Sequence, residues 1–113
     1  MEDSSHSYSK LRILSQTENG YIGQCSCCDH YNLAFGNFLL IFTENGLSGF
    51  NSMLHDRYHA LDTPLSNGKS IVLPSPIPSL MLSFNEAEME ELKGLFQESL
   101  LVMEVDKIFS ENR

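Results

Sequence analysis

LRILSQTENGYIGQCSCCDHYNLAFGNFLLIF, residues 11–42, reads as four consecutive strands and decides the fold. Asn19-Gly20 separates Leu11–Thr17 from Tyr21–Cys25. Asn-Gly is a favoured pair for a two-residue type I′ turn because both positions take positive φ. Gly36-Asn37 then separates Tyr31–Phe35 from Phe38–Phe42, with glycine first, as a type II′ turn requires. Leu33 and Phe35 alternate with small or polar neighbours, the period of a half-buried strand. Phe38–Phe42 is apolar on both faces, which predicts a central position or one beneath a helix. The four segments together predict an antiparallel meander.

Downstream the period changes. Thr43 is placed to cap a helix reaching about Tyr58, with Leu47, Phe50, Met53, Leu54 and Tyr58 on one stripe. Gly46 and Gly49 weaken it, by about 1 kcal/mol each relative to Ala in a helix interior. Ala60–Lys69 is a loop carrying Pro64 and the turn pair Asn67-Gly68. Ser70–Leu73 and Leu80–Phe84 read as strands around Pro74, Pro76 and Pro78. Prolines two apart in an extended segment remove backbone donors from one edge only, which would block that edge; a polyproline recognition segment is the alternative.

The last helix is the plainest element. Asn85 and Glu88 have capping-box spacing, and Phe84 can staple against Met89. Met89, Leu92, Phe96, Leu100 and Met103 recur at helical spacing, and the early glutamates suit the positive end of the helix dipole. Beyond Ser99 the pattern broadens to Leu101, Val102, Val105, Ile108 and Phe109. A helix apolar on two sides is either deeply buried or shared with a partner, and a homodimer contact through this C-terminal helix is the expectation. The fold class that follows is α+β in the order ββββαββα, an antiparallel sheet with two helices on one face. Residues 10–113 form one domain behind a polar, Ser-rich tail, Met1–Ser9, expected to be disordered.

Composition bounds the function. A hydrophobic fraction of 42% in 113 residues suffices for a conventional core, so folding requires neither disulfide nor metal. The 15 acids against 7 Lys and Arg give a net charge of −8, and the basic residues are scattered singly. Nucleic acid and anionic membrane surfaces are therefore disfavoured as partners. The longest apolar run, Phe38–Phe42, falls far short of the ~20 residues of a membrane helix. Three cysteines within four positions are no disulfide framework, and a reducing compartment, the cytoplasm, is expected.

One cluster carries chemistry: Cys25-Ser26-Cys27-Cys28-Asp29-His30. Cys25 and Cys28 have the gap of a zinc knuckle. His55 and His59, at i and i+4 on the expected first helix, would share a face. Together they compose a Cys-x2-Cys plus His-x3-His ligand set for tetrahedral zinc, with Cys27 and His30 as substitute ligands. The separation of the two halves exceeds the roughly dozen residues of a zinc finger, so the helix would have to pack its histidines against the end of the second strand. The plainer alternative makes Cys25 and Cys27 small core residues of a strand, Cys28–His30 the turn after it, and both imidazoles surface residues. A third reading is a thiol-dependent enzyme with Cys27 or Cys28 as nucleophile and His30 or His59 as base. No glycine-rich oxyanion turn, Walker loop, HExxH or calcium loop accompanies it.

Cys25-Ser26-Cys27-Cys28, then Tyr31-Asn32-Leu33-Ala34-Phe35-Gly36-Asn37, then Phe42-Thr43-Glu44, resembles a family of small bacterial proteins of unknown function. Leu73-Pro74-Ser75-Pro76-Ile77-Pro78 before a strand and a Leu92-rich helix fits the same pattern, so the resemblance spans about Tyr21 to Phe96. It implies no activity and no familiar enzyme superfamily. Three functions stand beside one another: a non-enzymatic interaction or regulatory module acting on a protein partner, a zinc-binding module, and a thiol enzyme.

Overall fold

In the computed structural model, which describes residues 11–56 and 58–111, the chain runs β1 (Leu11–Gln16), β2 (Gly20–Cys25), β3 (Tyr31–Phe35), β4 (Phe38–Phe42), α1 (Glu44–Asp56), β5 (His59–Ala60), β6 (Ile71–Pro74), β7 (Met81–Phe84) and α2 (Glu86–Glu111). The expected tail lies outside the described residues. The α+β order stands, with the two-residue β5 added. The strands form two antiparallel sheets, β1-β2-β3-β4 and β5-β6-β7.

Two turns show different physics behind similar sequences. At the β3–β4 turn Phe35 pairs Phe38, and Gly36 has φ of 59° while Asn37 stays out of the positive region, as type II′ demands. At the β1–β2 turn neither Asn19 nor Gly20 takes positive φ, so no type I′ turn forms. Thr17 N–H donates to Gly20 O at 2.8 Å and the loop is Glu18-Asn19, one residue earlier than expected. Gly20 lies inside β2 because β3 approaches it closely. A Cβ there would stand 2.2 Å from the Ala34 carbonyl oxygen.

The proline segment is also corrected. Pro74 ends β6 opposite Met81, while Pro76 and Pro78 fall in the β6–β7 connection. Ser75 N–H to Leu80 O and Leu80 N–H to Ile77 O close that loop, with Ser79 at φ 70°. Only Pro74 therefore occupies a strand position, on β6, and Pro76 and Pro78 lie in the hairpin connection rather than along an extended strand.

Both helix starts follow the capping chemistry. Thr43 Oγ1 accepts from Gly46 N–H at 3.1 Å. Asn85 and Glu88 satisfy each other's backbone N–H groups, both at 2.8 Å. α1 and α2 pack on the face of the larger sheet that carries Ile22, Leu33, Leu40 and Phe42. β4 is an edge strand, its Leu40 and Phe42 turned to the core and its Leu39 and Ile41 outward.

α2 is fastened to the first hairpin at successive turns. Glu91 accepts from Thr17 Oγ1, from Asn19 N–H at 3.1 Å and from Asn19 Nδ2 at 2.8 Å. A bulge at Leu14 lets both Leu14 and Ser15 enter the core, and Ser15 Oγ meets Ser99 Oγ at 2.6 Å and donates to Leu95 O at 2.8 Å. Arg12 grips Asp106 through both guanidinium nitrogens, at 2.7 and 3.3 Å.

Two outcomes follow. Gly20→Ala forces a methyl into the β3 backbone and is expected to cost more than about 2 kcal/mol by urea unfolding. Hydrogen bonds from Thr17, then from Asn19, hold the Glu91 carboxyl below its ordinary 4.5. A depressed acid stabilises the fold above its unfolded pKa and loses that contribution as pH falls through the folded value. Glu91→Ala should therefore cost about 1–2 kcal/mol at neutral pH. The gap to the parent chain should close as the pH drops below 4.5; a gap that persists at low pH would contradict the assignment.

Candidate metal centre

The hairpin joining β2 to β3 makes the site. Cys25 is the last residue of β2, and its N–H donates to His30 O at 2.8 Å, so these two close the hairpin. Ser26–Asp29 make the turn, which reverses direction through Asp29 at φ 58°. Asp is among the few residues other than glycine that enter this left-handed region readily. The reversal lifts Cys27 and Cys28 back over the strand end toward Cys25.

The three sulfurs meet as a consequence. Cys25 Sγ stands 3.2 Å from Cys27 Sγ and 2.9 Å from Cys28 Sγ, and all three lie within 4.8 Å of one another. They are thiols, not disulfides. Cys27 is exposed, while Cys25 and Cys28 are half-buried. Zinc–sulfur bonds of about 2.3 Å in a tetrahedron place ligand sulfurs about 3.8 Å apart. Admitting an ion therefore requires the sulfurs to part by less than about an ångström, a side-chain rotation rather than a backbone change. An open recess beside Cys28, lined by Gln24, His30, Tyr31, Thr43 and Glu44, leaves room for a fourth ligand.

The electrostatics suit a cation. The hydrogen bond with Cys25, followed by burial, pushes the Cys28 thiol up to about 11, against a partial opposing pull from the His30 backbone. The Cys27 thiol is raised by the same partner first. Thiols this close resist ionising together, because each new negative charge meets its neighbours at contact distance. A bound cation inverts that logic and draws the protons off. Raised thiols are also poor nucleophiles at neutral pH, which weighs against Cys27 or Cys28 acting as a poised catalytic thiolate.

The structure divides the expected ligands. It unites Cys25 with Cys28 and brings in Cys27, the expected substitute ligand, rather than leaving it on a straight strand with Cys25 as the core alternative required. Cys27 lies beyond the strand end, and neither it nor Cys25 is a core residue. The histidines stay apart. α1 ends at Asp56, so His55 sits exposed in its last turn while His59 lies in β5 opposite Val72. The expected i, i+4 pair on one helical face is therefore absent, and no imidazole among the described residues joins the sulfur group. His30 flanks the cluster, exposed, across the hairpin from Cys25.

A family model, the Family of unknown function (DUF6686), matches residues 8–108. The chain belongs to DUF6686. The match contains the whole Tyr21–Phe96 span of the expected resemblance, and with it the cysteine hairpin, α1 and all but the last three residues of α2 of this DUF6686 member. No curated protein and no solved structure gives a significant match. Among the described residues of the DUF6686 chain, no helix is long and apolar enough to cross a membrane.

The thiol chemistry is directly measurable. In the metal-free, reduced chain at pH 7.5, Cys28 should alkylate with iodoacetamide at least roughly tenfold more slowly than an unperturbed thiol. Faster-than-ordinary labelling, read by peptide mass spectrometry, would instead mark an activated nucleophile.

Proposed function

We propose that this chain is a metal-binding module in which Cys25, Cys27 and Cys28 hold one soft transition-metal ion, zinc before others, as thiolates. The observation that carries the reading is the convergence of three sulfurs from a four-residue stretch, at 3.2 and 2.9 Å from Cys25. Thiolates select zinc, copper(I) and related soft ions over magnesium or calcium. With zinc, three sulfurs leave one tetrahedral position for a further donor. His30 is the nearest imidazole in the chain's order, and the recess beside Cys28 admits a water or an external group. His55 and His59 have no part in this set.

The role such an ion supports here is structural. It cross-links the tip of the β2–β3 hairpin, where the connection has no buried apolar side chain of its own. A reducing compartment, the cytoplasm of a bacterial-type cell, keeps the thiols available for it. The core is large enough to fold without the ion, so metal removal should loosen the hairpin tip and leave the rest folded.

Elemental analysis of protein purified without chelator tests the proposal. About one equivalent of zinc is expected, and cobalt(II) substitution should give thiolate-to-metal charge-transfer absorption. Cys27→Ser and Cys28→Ser should each weaken binding by at least roughly tenfold. Less than about 0.1 equivalent, with no cobalt spectrum on titration, would refute it.

A further inference from the structure

Three thiols at contact distance have a second chemistry besides holding an ion. Cys25 Sγ and Cys28 Sγ stand 2.9 Å apart as thiols. A disulfide bond is about 2.05 Å long, whereas two sulfurs on one zinc stand about 3.8 Å apart. The 2.9 Å separation lies within about an ångström of each. Side-chain rotation therefore reaches both states, and one sulfur pair cannot occupy both at once. From Cys25 to His30 every residue is exposed or half-buried, so neither shift displaces core packing.

We propose that Cys25 and Cys28 form a reversible disulfide by exchange with a low-molecular-weight disulfide, and that this bridge is the metal-excluding state of the site. The bridge stands on the sulfur geometry alone, while its opposition to an ion rests on the metal reading above. Position selects the pair. Cys25 stands 2.9 Å from Cys28 and 3.2 Å from Cys27. A bridge between the adjacent Cys27 and Cys28 is strained, and one from Cys25 to Cys27 has a single residue, Ser26, to absorb the bend. Cys25 and Cys28 enclose two residues and are the closer of the two measured pairs.

Exposure assigns the entry point. Cys27 is the exposed member of the three, so an external disulfide RSSR meets it first. Attack by the Cys27 sulfur breaks the external S–S bond, forms a mixed disulfide and releases one RSH, which takes the Cys27 proton. Cys25, 3.2 Å away, then attacks the Cys27 sulfur and expels the second RSH. Cys28 attacks the Cys25 sulfur in turn, which restores the Cys27 thiol and leaves the Cys25–Cys28 bridge. Each step breaks one S–S bond, forms another and transfers one proton. In sum two cysteines lose two electrons, and RSSR gains them as two RSH. Bridged sulfurs are no longer thiolate ligands, and Cys27 alone does not make a tetrahedral site. A reducing compartment permits disulfides of this transient kind.

The full reduced chain, incubated for hours with oxidised glutathione and chelator, tests the proposal, since uncatalysed exchange takes minutes to hours. Differential alkylation and peptide mass spectrometry should map a Cys25–Cys28 bridge within the chain, with Cys27 still open to alkylation and dithiothreitol reversing the bridge. Cys27→Ser should keep the bridge and slow its formation at least roughly tenfold. Cys25→Ser should stop at mixed disulfides. After chelator is removed, the bridged chain should bind cobalt(II) at least roughly tenfold more weakly than the reduced chain. Only mixed disulfides, only bridges between chains, or a Cys27–Cys28 bridge in the parent protein overturns the proposal, and a cobalt spectrum from the reduced chain then leaves the metal reading intact. Equal cobalt binding by the bridged and reduced chains overturns the exclusion. A mapped Cys25–Cys28 bridge in a chain whose reduced form takes no cobalt supports the disulfide and refutes the metal reading.

Discussion

The seating of α2 across β1 and β2 is the contact on which the rest of the molecule depends. Leu92, Leu95, Phe96, Ser99 and Met103 form the buried side of a 26-residue helix, and the first hairpin supplies most of the surface they meet. Apolar burial gives this contact its strength but little directional preference. Direction comes from the polar pairs, above all Ser15 with Ser99, two hydroxyls removed from water and satisfied by each other and by Leu95 O. Sliding the helix by one turn would leave both unpartnered in the core, at a cost of about 1–3 kcal/mol for each orphaned group. Glu91 at one end and Asp106 at the other hold the same register from outside.

That register fixes what remains exposed. With both helices committed to one face of the larger sheet, no described helix covers the opposite face, and the β2–β3 connection projects beyond the core where no packing dictates its shape. The conformation there is set locally, by Asp29 in the left-handed region and by the Cys25–His30 hydrogen bond. A hairpin tip with so little to bury is a suitable place for three thiols, because sulfurs near solvent can exchange protons for a metal without disturbing the interior.

Much of the architecture was legible in the sequence because periodicity and capping are local properties. Phe38–Phe42, the Thr43 cap and the Asn85/Glu88 box appear where their side chains require. The errors arose where a local signal had two physical causes. Gly20 looked like a positive-φ turn residue and is instead a position of close backbone approach. His59 looked helical because its spacing from His55 was right, but α1 stops at Asp56 and β6 recruits the residues beyond as a short partner strand. Cys25 and Cys28 were readable as a pair from spacing, and Cys27 as their substitute, but its meeting both of them depends on where β2 ends. The Ser15–Ser99 contact, 84 residues apart, left no sequence signal at all.

The metal site is the central chemical claim, and the coordination shell itself is its most direct test. X-ray absorption at the zinc edge of the metal-loaded, reduced chain should show three sulfur neighbours at about 2.3 Å and one lighter donor. A shell of oxygen and nitrogen alone, or a single sulfur, would contradict it.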